Sequence, residues 1–393
     1  MRPERIAITA AGVVTPIGQD LDSFWTGLVT GVDGISPVER FPVADLRVGR
    51  AGEIKDLQRV KDWGRVPDCR ASRLLVSAAD ELCAQAGGRP LPVAPARLAV
   101  VVGTALGGVE EGERALAGDR APRRLRGALY DAPAHNLARW LGARGPVMTV
   151  GTACASGASA IGLGMDLLRA GLSDAVVAGG YDTLCRFVMS GFNTLRALTR
   201  DRVRPFDRRR SGLLLGEGAA LVLLERDREA RGDRLGVVLG QGSVGDGYHV
   251  SAPHPEGRGL ARAISIALRD AGVEPAQVDF VSAHGTGTML NDRIETTVLR
   301  EVLGPHAARV PVNSIKPPTG HTMGAAATLE AIMCLLASRH GLIPPTLYLE
   351  EPDPSCDLDH VRGVPRALRP RISLSTSLGF GGCNAALVLE GAA

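Results

Sequence analysis

Aromatic residues, paired cysteines and long apolar stretches are what this chain of 393 residues has least of. Phe, Trp and Tyr make up 4% of it, so aliphatic side chains, alanine and glycine must fill the core. The seven cysteines form an odd set without a Cys-x-x-Cys pair, which argues against a disulfide framework or a metal site and for a reducing compartment. No stretch approaches the roughly 20 apolar residues of a membrane span, and the N-terminus lacks the apolar segment of a signal peptide. These absences predict a soluble, cytoplasmic protein without a membrane partner.

A strong charge excess and a phosphate-binding motif are also missing. The net charge of +3 does not suggest nucleic acid as the main partner. No helix pattern opens with Gly-Lys-Ser/Thr, which argues against a phosphate-binding loop. Glycine is abundant instead, and its 49 residues imply many tight turns and close backbone approaches.

Short apolar strand patterns alternate with longer alanine-rich helical patterns, which predicts α/β layering. The chain also repeats itself, because Cys154–Ala160 resembles His321–Ala327 and Gly216–Glu225 resembles Gly381–Glu390. The offsets agree closely, because Cys154 lies 65 residues before Ala219 and His321 lies 64 residues before Ala385. Two segments in register at this distance predict a duplicated half-domain.

The duplication predicts an N-terminal half over residues 1–230 and a C-terminal half over residues 231–393. Two like halves that pack about a pseudo-two-fold axis bring equivalent helix starts together near that axis. Cys154 and His321 are therefore expected to face each other, although 167 residues separate them in the sequence.

Cys154 is the candidate nucleophile, because it lies between an apolar strand pattern and a long helix pattern. A helix start stabilises a thiolate by about 0.3–2 kcal/mol, which lowers its pKa by about one unit. That shift leaves most of an ordinary thiol protonated at neutral pH, so a basic partner is required. His284 and His321 are the two candidates. The alternative is a small buried cysteine that packs a helix start.

His284 follows an apolar strand pattern and begins a Gly/Thr loop, so its imidazole is expected at the edge of a sheet. Asn291, Asp292 and Glu295 follow it and could orient the imidazole or cap the next helix. The alternative is a core histidine whose hydrogen bonds are satisfied.

Two further segments could complete a site. Lys316 lies in a loop stiffened by Pro317 and Pro318, and Glu330 on the following helix could pair with it. The alternative is an exposed lysine in a proline turn. The glycine-rich turn Ser377–Gly382 could present a backbone N–H to a developing oxyanion, or it could be a plain turn.

Taken together, these motifs resemble the elongating β-ketoacyl-acyl carrier protein synthases of the thiolase superfamily, the ketosynthases of fatty-acid and type II polyketide biosynthesis. The Cys-His-His set is similar to that of the elongating enzymes, whereas the initiating enzymes use Cys-His-Asn. The resemblance implies a five-layered αβαβα thiolase-like fold with two pseudo-two-fold-related halves. It runs nearly end to end, through Ala11–Gly18, Gly151–Ser156, Arg204–Asp207, Gly216–Gly218, His284–Thr288, Lys316–Ala326 and Gly379–Asn384.

The resemblance implies an acyltransferase that carries out a decarboxylative Claisen condensation. Cys154 would hold the acyl chain as a thioester. His284 and His321 would bind the thioester carbonyl of a malonyl-carrier substrate, assist its decarboxylation and stabilise the enolate. Lys316, paired with Glu330, would tune the two imidazoles electrostatically.

Further roles follow from the same resemblance. The N–H groups of Cys154 and Phe380 would form the oxyanion hole, and the Phe380 ring would gate the site. The remaining residues implied to bind substrate are Leu106, Phe192, Thr286, Thr288, Gly379 and Gly381. An acidic acyl carrier protein would bring both substrates on its phosphopantetheine arm, so no other cofactor is expected. Its docking surface is expected in two arginine clusters, at Arg123, Arg124, Arg204 and Arg208, unless these are simply solvated charges.

Some features stay open from the sequence. Pro317 stands where the family usually has Ser, and residues 198–204 form a shorter segment than usual, so the loops near the pocket, the acyl length and the pathway are not determined. The implied assembly is a homodimer or a heterodimer like that of a ketosynthase with its chain-length factor. Two other functions compete: a non-condensing chain-length partner, which normally lacks the cysteine, and a ketosynthase-like acyltransferase or cyclase.

Overall fold

The structure, a computed structural model, describes residues 4–392 except 59, 61, 65, 68, 120, 231 and 232. Its strands are β1 Ile6–Val14, β2 Ile35–Pro37, β3 Arg50–Gly52, β4 Leu98–Gly103, β5 Val147–Val150, β6 Ala175–Asp182, β7 Gly218–Arg226, β8 Gly236–Gly245, β9 Phe280–Ser282, β10 Pro311–Asn313, β11 Leu342–Ile343, β12 Asp359–His360, β13 Arg366–Ala367, β14 Ile372–Gly379 and β15 Cys383–Gly391. Its α-helices are α1 Leu21–Thr30, α2 Arg70–Gln85, α3 Val109–Leu116, α4 Pro122–Gly127, α5 Ala132–Leu141, α6 Ser156–Arg169, α7 Arg186–Thr194, α8 Arg258–Ala271, α9 Met289–Leu303, α10 Lys316–Thr319 and α11 Ala326–His340.

The strand order shows the internal repeat directly. Eleven of the described strands form one sheet in the order β12-β10-β9-β14-β15-β8-β1-β7-β6-β4-β5. From the central β1–β8 contact outwards, β1-β7-β6-β4-β5 matches β8-β15-β14-β9-β10. Each series has two antiparallel pairings followed by two parallel ones. The predicted duplication is therefore present as a repeated topology.

The helices complete five layers. α6 and α11 pack against each other at the centre, with α6 on β4, β6 and β7 and α11 on β14 and β15. On the outer faces, α2 packs on β1 and β7, and α8 packs on β8 and β15. Residues Ala326–Ser338 of α11 are all buried, as expected for a helix that is apolar on every side. This α-β-α-β-α arrangement confirms the predicted fold class.

One detail of the predicted repeat is wrong. A short 3₁₀ turn precedes each central helix, Ala153–Ala155 before α6 and Met323–Ala325 before α11. Ala153 and Met323, the first residues of the two turns, both have positive φ, 50° and 51°. Cys154 is therefore equivalent to Gly324, three residues beyond His321. The segment between β10 and the second turn is longer than the segment between β5 and the first turn. The similarity of the two sequence segments therefore aligned Cys154 with the wrong residue.

The two halves meet in the connection between β7 and β8, where the chain leaves the first series of strands at Arg226 and enters the second at Gly236. The predicted boundary between residues 230 and 231 falls in this connection, and residue 231 lies outside the described residues. Within the described part of the chain, no helix has the length and apolar character that crossing a membrane requires.

Candidate active site

A cavity of about 300 Å³ lies where the two halves meet, and it contains the three residues predicted to carry the chemistry. Cys154 enters it from the first half, and His284 and His321 enter it from the second. The complete lining is Cys154, Phe192, Leu195, Ala197, Leu213, Ser251, Ala252, Pro253, His284, Thr286, Thr288, Met289, Leu290, Asn291, His321, Leu378, Gly379 and Phe380.

The turn that carries Cys154 is held by its own hydrogen bonds. The N–H of Thr152 donates to Oγ of Ser156 (2.9 Å), and that hydroxyl donates to the carbonyl of Ala153 (2.6 Å). Burial raises the pKa of the Cys154 thiol to about 12, against the lowering effects of the Lys316 charge and a hydrogen bond from the Phe380 N–H. The predicted lowering by the helix start is thus outweighed by desolvation, and the resting group is a thiol.

Phe380 approaches the nucleophile through its backbone. Its N–H faces the Cys154 sulfur closely enough to lower the pKa of the thiol, and the preceding Gly379 lies so close that an added Cβ would stand 3.1 Å from the Cys154 nitrogen. A larger residue at 379 would push the Phe380 N–H away from the sulfur. The Phe380 ring stacks on Phe192, with centroids 5.4 Å apart and an interplanar angle of 19°. One residue therefore supplies both a donor beside the sulfur and a wall of the cavity.

His284 is presented by the loop that follows β9. Its backbone N–H donates to Oε1 of Glu295 (2.7 Å) and, more weakly, to Oγ1 of Thr376 (3.3 Å). The side chain is buried, and Nδ1 has no hydrogen-bond partner among the described residues. Burial, the Lys316 charge and His321 together hold the pKa of His284 well below its usual range. The imidazole is therefore neutral at physiological pH.

His321 belongs to the second half but is anchored to the first. Its N–H donates to the carbonyl of Leu214 (2.7 Å), and its carbonyl accepts from the N–H of Gly216 (2.9 Å). Neither ring nitrogen has a hydrogen-bond partner among the described residues. Burial and the Lys316 charge hold the pKa of His321 well below its usual range. Its ring meets that of His284 edge to face, so two neutral imidazoles with unused nitrogens share the cavity.

Lys316 and Glu330 form a fully buried ion pair behind the histidines, with Nζ 2.5 Å from Oε1. Burial raises the pKa of Glu330 to about 7, and the Lys316 charge opposes this rise. Pro317 and Pro318 continue from Lys316 into the short helix α10, where proline at the first positions loses no helical hydrogen bond. The two prolines therefore leave Lys316 beside Glu330.

The residues predicted to bind substrate divide into two groups. Phe192, Gly379, Thr286 and Thr288 line the cavity, and the last two share a hydrogen bond of 3.0 Å between their hydroxyls. The other two residues, Leu106 and Gly381, do not line it. The Leu106 N–H donates to a buried carboxylate, Asp182, and the Gly381 N–H donates to the carbonyl of Val250.

The predicted docking arginines are mostly neutralised by acidic neighbours. Arg124 pairs with Glu111 and Asp119, Arg204 with Asp201 and Glu350, and Arg208 with Glu351. Arg123 is exposed and has no ion pair within the described part of the chain. Arg120, from the same cluster, lies outside the described residues.

Several cavity residues were not predicted from the sequence. Met289 and Leu290 directly follow the Gly/Thr loop, so their position in the chain could have indicated them. Asn291, which the sequence suggested as a residue to orient His284 or cap the next helix, also lines the cavity. Ser251–Pro253 come from a loop between β8 and α8 that carries no motif. Asp182 was also missed, because a single carboxylate at the end of a strand resembles an ordinary turn residue.

Known proteins share both the sequence pattern and the architecture. Two family models match the chain, the N-terminal domain of beta-ketoacyl synthase over residues 3–230 and the C-terminal domain over residues 235–350. A curated relative, the 3-oxoacyl-[acyl-carrier-protein] synthase 2 of Synechocystis sp., is 35% identical and aligns over 99% of both chains. Among solved structures, the ishigamide ketosynthase/chain length factor has a TM-score of 0.92 at 36% identity, with 100% of both chains covered. A ketosynthase solved in complex with its type II polyketide synthase acyl-carrier protein has a TM-score of 0.92 at 27% identity and covers 99% of this chain and 100% of its own. The chain belongs to the β-ketoacyl synthase family.

Proposed function

We propose that this protein is a β-ketoacyl-acyl carrier protein synthase, which condenses an acyl group held on Cys154 with malonyl-acyl carrier protein. One observation carries the proposal: the Cys154 thiol shares a cavity with two histidines of lowered pKa, and three of their ring nitrogens have no hydrogen-bond partner among the described residues. A thiolate suits this reaction because it is both a good nucleophile and a good leaving group.

The first half-reaction transfers the acyl group. The Cys154 sulfur attacks the thioester carbonyl, a neutral imidazole accepts the thiol proton, and the carrier's thiol leaves as the new thioester forms. Negative charge that develops on the carbonyl oxygen is stabilised by the N–H groups of Cys154 and Phe380. Acyl storage on the protein makes the kinetics ping-pong.

The second half-reaction forms the carbon–carbon bond. The malonyl carbon loses its carboxylate as CO₂, and its bonding electrons pass into an enolate whose oxygen accepts hydrogen bonds from His284 and His321. The enolate carbon attacks the acyl carbonyl, and the Cys154 sulfur leaves as a thiolate, which takes up a proton from water to restore the thiol. Burial, helped by the Lys316 charge, holds the pKa values of both imidazoles well below the usual range. A neutral imidazole can donate a hydrogen bond to the enolate oxygen without transferring its proton.

The carrier's phosphopantetheine arm supplies both thioesters, and loss of CO₂ drives the reaction without another cofactor. Thr286 and Thr288 offer hydroxyls to this arm along the cavity wall. Arg123 is the predicted docking arginine whose charge is not paired, and an acidic carrier is the partner that it suits. The seven cysteines are all free thiols, which fits the reducing cytoplasm. The subunit partner is a second copy or a chain-length-factor-like chain.

Incubation with malonyl-carrier protein and an acyl donor tests the proposal. Release of CO₂ together with a β-ketoacyl product two carbons longer is the expected result. Acyl transfer without CO₂ release would support an acyltransferase or cyclase instead, and an unmodified Cys154 would point to the chain-length partner. Cys154→Ala is the control, since it removes the acyl acceptor while the rest of the cavity remains.

A further inference from the structure

Asp182 is a buried carboxylate with no role in the chemistry described above. It is the last residue of β6, it belongs to the first half, and its exposed fraction is 0%. Burial of a carboxylate is unfavourable in free energy unless hydrogen-bond donors surround it. The donors at Asp182 therefore indicate what the residue does.

Four donors converge on the two oxygens of Asp182. Oδ1 accepts from the Thr104 hydroxyl (2.6 Å) and the Leu106 N–H (3.0 Å). Oδ2 accepts from the N–H groups of Ala105 (2.9 Å) and Gly324 (2.7 Å). Three donors come from the loop after β4 in the first half, and the fourth comes from the second half.

The Gly324 contact reaches the turn that follows His321. Gly324 is clamped in this turn, because an added Cβ would stand 2.8 Å from Oδ2 of Asp182 and 2.7 Å from the Thr104 Cα. Its carbonyl lies against Gly180 of β6 and Gly157 of α6, where an added Cβ would stand 2.0 and 2.7 Å from it. The turn of the second half thus packs against the first half, and its Gly324 N–H donates to the Asp182 carboxylate.

The Thr104 contact reaches the turn that carries Cys154. The Ser156 hydroxyl donates to the Ala153 carbonyl (2.6 Å) and, more weakly, to the Thr104 carbonyl (3.1 Å), and it accepts from the Thr152 N–H (2.9 Å). It thus links Thr104 to the two residues that precede Cys154. The Asp182 carboxylate is therefore linked to the His321 turn directly, through the Gly324 N–H, and to the Cys154 turn indirectly, through Thr104 and Ser156.

We propose that Asp182 is a positioning residue for condensation, which fixes the His321 turn against the Cys154 turn through the Gly324 N–H and Thr104. This inference rests on the proposed function. Its physical basis is that Cys154 and His321 lie in turns from different halves, so their relative position depends on contacts between those two turns. A displacement of about 1 Å between reacting groups costs about 100-fold in rate.

Asp182→Asn tests the proposal with little change of volume, because the amide replaces one acceptor oxygen by a donor and leaves two of the four donors unmatched. The assay is malonyl-carrier decarboxylation in a Cys154→Gln background, where no acyl group is needed. We expect the decarboxylation rate to fall about 10- to 100-fold, with KM for malonyl-carrier within about twofold. We also expect faster hydrogen exchange in peptides that span residues 320–326.

Glu81→Gln is the matched control. Glu81 is a partly buried carboxylate that also accepts from two backbone N–H groups, those of Val13 (2.9 Å) and Leu21 (2.6 Å), but it lies on α2 and lines no part of the cavity. An equal fall in both variants, or wild-type rates and exchange in Asp182→Asn, would overturn the proposal. CO₂ release by the Cys154→Gln parent reports on the proposed function itself, and hydrogen exchange reports on Asp182 independently of activity.

A second variant covers the case in which Asp182→Asn does not fold. Thr104→Val removes one donor to Asp182 and leaves the Gly324 contact intact. We expect acyl transfer to Cys154 to slow about tenfold, whereas transfer at the wild-type rate would contradict the proposed link to the nucleophile turn.

Discussion

The rings of His284 and His321 meet edge to face, with centroids 5.3 Å apart and planes at 84°. The first ring follows a strand of the second half, and the second is anchored by backbone hydrogen bonds to Leu214 and Gly216 of the first half. This arrangement leaves both imidazoles facing one cavity with nitrogen atoms free to donate. Binding of a single enolate oxygen by two donors requires such convergence.

Cys154 is expected to react as a thiol whose ionisation limits its rate. Because burial raises its pKa to about 12, the rate of alkylation by iodoacetamide should rise about tenfold per pH unit between pH 7 and 9. Peptide mass spectrometry measures the modification at Cys154 against the partly exposed Cys383. A rate that is already constant above pH 7 would mean a stable thiolate and would contradict this prediction.

The two histidines should make the fold sensitive to acid. Their pKa values are held well below the ordinary 6.5, so the unfolded chain binds protons that the folded chain does not. Above pH 6.5 the two histidines do not lower the free energy of unfolding. Below that pH the free energy of unfolding falls, by at most about 1.4 kcal/mol per pH unit for each histidine.

Denaturant unfolding at pH 7.5 and 5.5 measures this effect. His321→Asn should lose less stability on acidification than the wild type, and it should also release CO₂ more slowly from malonyl-carrier. His135→Asn, at an exposed position, is the control and should keep the wild-type slope. Equal pH slopes for His321→Asn and the wild type would contradict the prediction.

Removal of Lys316 should destabilise the protein and raise the pKa values of His284 and His321. Lys316→Met leaves Glu330 buried without a counter-charge, which costs about 3–5 kcal/mol of unfolding free energy. The same change removes the charge that lowers the pKa values of His284, His321 and Cys154, so condensation should slow.

The double variant Lys316→Met/Glu330→Gln separates the two effects. It removes both charges, so most of the stability should return, whereas the condensation rate should stay low because the positive charge is still absent. Urea unfolding and CO₂ release measure the two quantities. Full recovery of the rate in the double variant would show that the Lys316 charge has no catalytic effect.

A change at Arg123 should raise the KM of carrier-bound substrates but not that of free thioesters. Arg123→Glu reverses an exposed, unpaired charge, so KM for acyl-carrier substrate should rise several-fold at low salt and less at high salt. KM for a free thioester mimic should be unchanged. Arg262→Glu on the outer helix α8 is the matched exposed control. An equal effect on both substrates, or the same effect at Arg262, would argue against docking at Arg123.

Local sequence signals were sufficient for a large part of this molecule. The alternation of strand and helix patterns indicated the layering, and the repeated segments indicated two like halves. Cys154, His284 and His321 each stand in a short motif with small neighbours, so they could be identified without knowledge of distant contacts. The repeat was placed three residues out of register at His321, because loop length is not encoded by a pattern of alanines and glycines.

Charge and protonation could not be predicted in the same way. A helix start suggested a lowered thiol pKa, but desolvation reverses that shift and depends on side chains far away in the sequence. The sequence suggests a free basic surface at Arg124, Arg204 and Arg208, yet acidic residues from helix α3 and from the segment at residues 350–351 pair with them. Asp182 has no motif at all, since its donors come from residues 104–106 and 324.

The amino-acid sequence was thus enough to predict the fold and to propose Cys154, His284 and His321, which the fold brings into one cavity, because motifs and hydrophobic periods are local properties. Only the folded molecule decides which nitrogen atoms stay unpaired, which charges cancel and how the two halves are held in register. These outcomes depend on burial and on distances between residues far apart in the sequence, and both arise only when the halves pack together.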